Sequence, residues 1–96
     1  MAIELINYDA ADYLDSPETM AAYLNAAIED SDGDAAAMAE ALGAIARAQG
    51  MSNVAERAGL GRQSLYKALS ANGNPTLATI SRVAGVLGLR ISVAAA

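Results

Sequence analysis

Apolar side chains recur at spacings of three and four residues along most of this 96-residue chain, and short polar breaks separate the repeats. The first repeat runs from Met20 to Ile28 and the second from Met38 to Ala46. The third consists of Leu77, Ile80, Val83, Ala84 and Leu87, all of which we expect to face inward. Because this spacing places side chains on one face of an α-helix, the sequence predicts three amphipathic helices around a shared core.

Residues that favour helix ends stand around these repeats. Ser16 and Pro17 combine a capping hydroxyl with a proline at the first helical position, so they predict a helix start. Asp34 and Thr76 are expected to cap the second long helix and the last one, and Gly50 is expected to end the second.

Two shorter helices are predicted between the long ones. Ser52 is expected to cap a helix that ends near Ala58, Gly59 to make the turn, and residues 62–69 to form the next helix. Gly43 lies inside the second long helix, where glycine costs roughly 1 kcal/mol relative to alanine. We attribute it to close packing of another segment.

The residues Leu89–Val93 alternate apolar with polar side chains, which predicts a short half-buried strand. Residues 3–8, IELINY, alternate more weakly and predict a second strand. A lone strand leaves its backbone groups unpaired. The partner of Leu89–Val93 is therefore either residues 3–8 or the same strand of a second subunit.

The composition favours helices and excludes several kinds of chemistry. A quarter of the residues are alanine, and four tyrosines are the only aromatic residues. The chain has no cysteine and no histidine, which excludes disulfides, Cys/His zinc sites and imidazole catalysis. We predict an all-α, non-enzymatic protein without cofactor, metal or small-molecule substrate. We find no signal-peptide pattern and no apolar stretch long enough to span a bilayer, and we expect a cytoplasmic location.

Charge is divided unevenly along the chain. Residues 1–46 contain ten acidic residues and no lysine or arginine, whereas residues 47–96 contain all six basic residues and a single acid, Glu56. The net charge of −5 thus averages a strongly acidic half and a half of net charge +5. Such asymmetry predicts two surfaces that meet two kinds of partner.

Residues 51–70, MSNVAERAGLGRQSLYKALS, resemble the helix-turn-helix of Cro and Xre-type repressors. The resemblance rests on eight positions with the right residue type and spacing: Val54, Ala55, Ala58, Gly59, Leu60, Leu65, Ala68 and Leu69. In that motif the second helix enters the major groove of DNA. Gly61 departs from the motif, which often has a hydroxyl residue there.

The resemblance implies that double-stranded operator DNA is a partner. The side chains expected to contact it are Arg62, Gln63, Ser64, Lys67, Ser52, Asn53, Arg57, Asn72 and Asn74. Gln can pair with adenine, and Arg and Lys with guanine or phosphate. Tyr66 is expected instead to pack on a neighbouring helix with its hydroxyl in water.

A wider resemblance covers residues 7–93. The segments DYLDSPE, ARAQGM, GRQSLYKALS with its NGNP loop, and LRISV are similar to the addiction-module antidote family, the HigA-like antitoxins of type II toxin–antitoxin pairs. This resemblance implies a homodimer that represses its own operon. It also implies a partner toxin of the RelE/HigB-like superfamily, which cleaves mRNA.

The acidic half suggests where such a toxin would bind. A toxin that holds RNA is expected to have a basic cleft, and an acidic surface could compete for it. We assign most of the contact to residues 7–33, with Asp9, Asp12, Tyr13 and Asp15 as the best candidates. The alternative is a local role, in which the acids cap and Tyr13 and Leu14 pack under the first long helix.

The expected architecture is one domain, residues 1–96: a five-helix Xre/Cro-like helix-turn-helix fold with an extra N-terminal helix and a short C-terminal strand. Residues 1–33 form the acidic extension, 34–88 the DNA-binding core, and 89–94 the strand, which pairs within the chain or across a dimer. Two other functions fit the same residues. One is a stand-alone repressor without a toxin, and the other is a protein-interaction module that has lost DNA binding.

Overall fold

Five helices and their connections make up the part of the chain that the computed structural model describes, residues 14–70 and 72–95. They are α1 (Pro17–Asp30), α2 (Ala35–Gln49), α3 (Met51–Ala58), α4 (Arg62–Ala68) and α5 (Leu77–Val86). The prediction of an all-α fold with five helices is confirmed for these residues.

Three of the predicted helix caps are present. In each, the side chain of the residue before the helix accepts a hydrogen bond from the backbone N–H three residues further on: Ser16 at 3.2 Å, Asp34 at 3.1 Å and Thr76 at 3.1 Å. The backbone N–H of Ser16 in turn donates to the hydroxyl of Thr19 at 3.3 Å, which completes a capping box. These contacts satisfy N–H groups that the first helical turn leaves without partners.

The predicted cap at Ser52 is wrong. Helix α3 begins one residue earlier, at Met51, and its N-cap is Gly50, which has no side chain to accept a hydrogen bond. Gly50 also ends α2, and its φ of +97° turns the chain at once from one helix into the next. No residue is left between the helices to serve as a polar cap, and Met51 is buried in the core instead.

All five helices contribute to one hydrophobic core, which also takes in Leu14 ahead of α1. Its largest fully buried side chains are Leu14, Leu42, Ile45, Val54, Leu65, Leu69 and Val83. Among the described residues no polar or charged side chain is buried. Stability therefore comes from apolar burial, and the charges are left for the surface.

Leu77 does not face the core as expected, since 70% of its surface is exposed. Val83, Ala84 and Leu87 are buried and Ile80 packs at the core margin, so the rest of that face is confirmed. Leu77 is the first residue of α5. Side chains on a helix lean toward its N-terminus, so the side chain of Leu77 extends beyond the end of the core.

The predicted strand at Leu89–Val93 does not form within the described chain, where residues 89–95 have no regular secondary structure. The chain leaves α5 through Gly88, with a φ of +81°, and the Leu89 N–H donates to the carbonyl of Ala84 at 2.8 Å. A strand needs a neighbouring backbone to pair with, and no described segment supplies one. The other predicted strand, residues 3–8, lies outside the described residues.

Candidate nucleic-acid interface and acidic surface

A tight turn joins α3 to α4. Gly59 adopts the left-handed conformation, with φ +73° and ψ +32°, and its N–H donates to the carbonyl of Glu56 at 3.1 Å. The N–H of Leu60 then donates to the carbonyl of Ala55 at 2.9 Å. The predicted turn at Gly59 is confirmed, and the positive φ explains why glycine stands there.

The inner faces of α3 and α4 are anchored in the core. Val54 and Ala55 of α3 are almost fully buried, as are Leu65 of α4 and Leu69 at its end. A methyl group built on Gly43 would collide with the backbone carbonyl of Leu69. Helix α2 therefore packs directly on the end of α4, and the close packing expected at Gly43 is confirmed.

The outer face of α4 is polar and accessible. Arg62, Gln63, Ser64 and Lys67 are all exposed. Leu65 and Leu69 are buried in the core on the opposite side of this short helix. Their burial fixes the orientation of α4, so the four polar side chains point away from the core. Gly61 is the N-cap of α4 and makes no side-chain cap, so the first turn lacks the hydroxyl contact that similar motifs often have.

Tyr66 lies at the border of this surface. Its ring is 48% exposed, and the guanidinium carbon of Arg47 lies 5.9 Å from the ring centroid. Arg47 is in the last turn of α2, so the ring contacts a neighbouring helix as predicted. The cation–π contact brings a further positive charge to the α4 surface. Sequence analysis missed Arg47 because nothing local links it to Tyr66, 19 positions away.

The other residues predicted to contact DNA are also exposed: Ser52, Asn53 and Arg57 on α3, and Asn72 and Asn74 before α5. Gly73 fixes the shape of that loop, because its N–H donates to the Ser70 carbonyl at 2.9 Å and an added methyl group would collide with the Ala68 carbonyl. The structure thus leaves every predicted DNA-contact residue accessible.

The exposed acidic residues of the first half of the chain lie just before α1, on α1, in the turn after it and on α2. They are Asp15, Glu18, Glu29, Asp30, Asp32, Asp34 and Glu40. Asp15 follows Leu14, which is 1% exposed, so the packing predicted for Leu14 is confirmed. The side-chain amide of Gln49 donates to the Leu14 carbonyl at 2.6 Å and fixes the chain ahead of α1 to the end of α2. Asp9, Asp12 and Tyr13 lie outside the described residues.

In residues 14–70 and 72–95, no group of three or more acidic, cysteine or histidine side chains is placed to hold a metal ion. Over the same ranges, every helix is too short or too polar to cross a bilayer.

Comparison with known proteins identifies the family. The model of a family described as "probable addiction module antidote protein" matches residues 4–95. An uncharacterized protein of Haemophilus influenzae is 42% identical over 93 residues, which cover 97% of this chain and 94% of the relative. No solved structure matches significantly. The match over nearly the whole length, together with the five-helix fold, shows that the chain belongs to the family of probable addiction module antidote proteins.

Proposed function

We propose that this protein is the antidote of a toxin–antitoxin pair, which binds a basic, RNA-cleaving toxin through its acidic half and operator DNA through α4. In this proposal it acts in the cytoplasm as a homodimer and represses its own operon. The single observation that carries the DNA-binding part is the exposed row Arg62, Gln63, Ser64 and Lys67 on a helix anchored by buried leucines.

The distribution of charge supports two partners of opposite sign. All six basic residues follow position 46 in the sequence and all are exposed, so the negative net charge of the chain need not repel DNA from α4. The family description, an antidote of an addiction module, supports a toxin as the second partner. A protein that binds RNA needs a basic surface. The exposed acidic residues of α1 and α2 are complementary in charge to such a surface.

DNA binding is tested by fluorescence anisotropy with a duplex from upstream of the gene and a scrambled duplex, at two salt concentrations. Gln63→Ala should weaken binding to the upstream duplex about fivefold or more and reduce its preference over the scrambled one, because a lost base contact costs about 1–3 kcal/mol. Asn25→Ala removes an exposed amide from α1 and serves as the matched control. Equal affinity of the wild-type protein for both duplexes would contradict sequence-specific binding.

Toxin binding is tested separately, by titrating the purified protein with the product of the gene next to its own. The toxin's RNA cleavage should stop at a stoichiometric ratio. DNA binding without inhibition would instead support a stand-alone repressor, and inhibition without DNA binding would support a protein-interaction module.

A further inference from the structure

The contact between Arg47 and Tyr66 joins α2 to the exposed face of α4. Gly43 and Arg47 are one turn apart on α2, and at Gly43 this side of the helix packs against the end of α4, since an added methyl group would collide with the Leu69 carbonyl. One turn further along α2, the guanidinium carbon of Arg47 lies 5.9 Å from the centroid of the Tyr66 ring. The place of Arg47 beside α4 therefore follows from how the two helices pack.

Tyr66 in turn lies beside side chains that are predicted to contact DNA. Residues three and four apart on a helix are neighbours, so Tyr66 is next to Gln63 and Arg62 on the surface of α4. All three of these residues are exposed, and so is Arg47. The exposed polar surface of α4 therefore continues onto the last turn of α2, outside residues 51–70.

The charge of Arg47 is available to an anion. Within residues 14–70 and 72–95, its guanidinium has the Tyr66 ring as a partner and no carboxylate pairs with it. Glu40, the one acidic residue of α2, is seven positions earlier, about 10 Å along the helix. A surface cation that no carboxylate neutralises adds its charge to the attraction of a polyanion.

We propose that Arg47 binds a phosphate of the operator backbone and that Tyr66 is the positioning residue whose ring holds the guanidinium there. This inference rests on the proposed binding of DNA through α4 and extends that surface to α2. A helix with its side chains is about 10–12 Å wide and the major groove is about 12 Å wide, so α4 in the groove leaves no room for α2. A cation carried by α2 therefore meets the backbone at the edge of the groove, where a contact positions the protein without reading sequence.

The ring has a physical role in such a contact. Arginine loses rotamer freedom when it is fixed on a phosphate, and stacking on an aromatic face limits that freedom before DNA binds. Ala46, the neighbour of Arg47 in the chain, is completely buried, so the backbone that carries the arginine is fixed as well. Both ends of the Arg47 side chain are thus held in advance.

Fluorescence anisotropy at several salt concentrations, with the upstream duplex and a scrambled duplex, tests the phosphate contact. Arg47→Ala should weaken binding to both duplexes by the same factor, up to about fivefold for each arginine lost. It should also make the slope of log K against log salt concentration shallower by about 1 for each arginine lost. Arg47→Lys keeps the charge and should keep the slope. Arg90→Ala, the matched control, removes an exposed arginine after α5 and should leave affinity and slope unchanged.

A double-mutant cycle tests the role of Tyr66. Tyr66→Phe keeps the ring and should bind DNA as the wild-type protein does. Tyr66→Leu should weaken binding to both duplexes about two- to fivefold while Arg47 is present. In the Arg47→Ala background it should have no effect, because the ring acts through the arginine. Equal losses in the two backgrounds would give the tyrosine a role of its own and contradict its positioning role.

The wild-type protein separates failure of this inference from failure of the proposed function. A wild-type protein that binds no DNA would overturn both. With wild-type binding intact, an unchanged slope for Arg47→Ala, or an equal change for Arg90→Ala, would overturn the phosphate contact alone. A loss confined to the upstream duplex would also overturn it, because Arg47 would then contact bases rather than phosphate.

Discussion

Gly43 and Gly85 both lie inside helices, but only Gly43 has another part of the chain packed against its Cα. A methyl group on Gly43 would meet the Leu69 carbonyl, whereas a methyl group on Gly85 would meet nothing within 4 Å. Both residues lie inside helices, where alanine is intrinsically better than glycine by roughly 1 kcal/mol. The same substitution should therefore have opposite effects at the two positions.

Gly43→Ala should lower the free energy of unfolding by about 1–3 kcal/mol, because overpacking outweighs the gain in helix propensity. Gly85→Ala should raise it by about 0.5–1 kcal/mol. Urea denaturation followed by circular dichroism measures both. Stabilisation by Gly43→Ala would show that α2 does not contact the end of α4 as the structure has it.

For contacts between residues close in sequence, the sequence predicted both partners, whereas for contacts between distant residues it did not identify the partner. Ser16, Asp34 and Thr76 each bond a backbone group three residues away, so residue type and position were enough to predict them. The contact between Arg47 and Tyr66 depends on how α2 and α4 pack. The start of α3 was mispredicted because burial of Met51, a tertiary effect, outweighs the capping preference of Ser52.

At the scale of elements, α1 is fixed to the rest of the fold at its beginning. Leu14 is fully buried ahead of the helix, and the Gln49 side chain bonds its carbonyl. Pro17, at the start of the helix, lies close to Gly88, since a methyl group on Gly88 would come within 3.3 Å of the proline ring. The acidic surface that α1 carries is therefore held at a fixed place on the core.

Leu14→Ala should lower the free energy of unfolding by about 2–5 kcal/mol, the usual cost of a large-to-small change in a core. Leu77→Ala makes the same chemical change at the exposed first residue of α5 and should change stability by less than about 0.5 kcal/mol. Both are measured by thermal and urea denaturation. Similar small effects at the two positions would mean that the chain ahead of α1 does not belong to the core.

The helices could be predicted because their periodicity and caps are local, whereas the strand depends on what lies beside it. The LRISV segment has a strand pattern, yet it forms no strand in the described chain, because no described backbone lies beside it. The candidate surface on α4 was predicted residue by residue, since inward leucines define its outward positions. Operator contacts remain predictions.

At the scale of the whole molecule, the two charged regions should respond differently to salt. If each subunit of a dimer makes about three phosphate contacts, log K for DNA should fall with log salt concentration at a slope of about −5. The toxin complex, if it depends on the acids of α1 and α2, should also weaken with salt through loss of charge attraction. Substitutions separate the two surfaces more sharply than salt does.

Reversing the charges of Asp9, Asp12 and Asp15 to lysine should weaken toxin binding about tenfold, since each exposed charge pair contributes roughly 0.2–1 kcal/mol. DNA affinity should not fall, because added positive charge favours a polyanion. Glu56→Lys is the control: it reverses the one acid of the basic half, on exposed α3 surface, and should leave toxin affinity unchanged. Isothermal titration with the toxin and anisotropy with the duplex measure the two affinities.

Unchanged toxin affinity in the triple variant would refute the assignment of these carboxylates. An equal loss with Glu56→Lys would show that toxin binding follows the net charge of the whole protein rather than its acidic half.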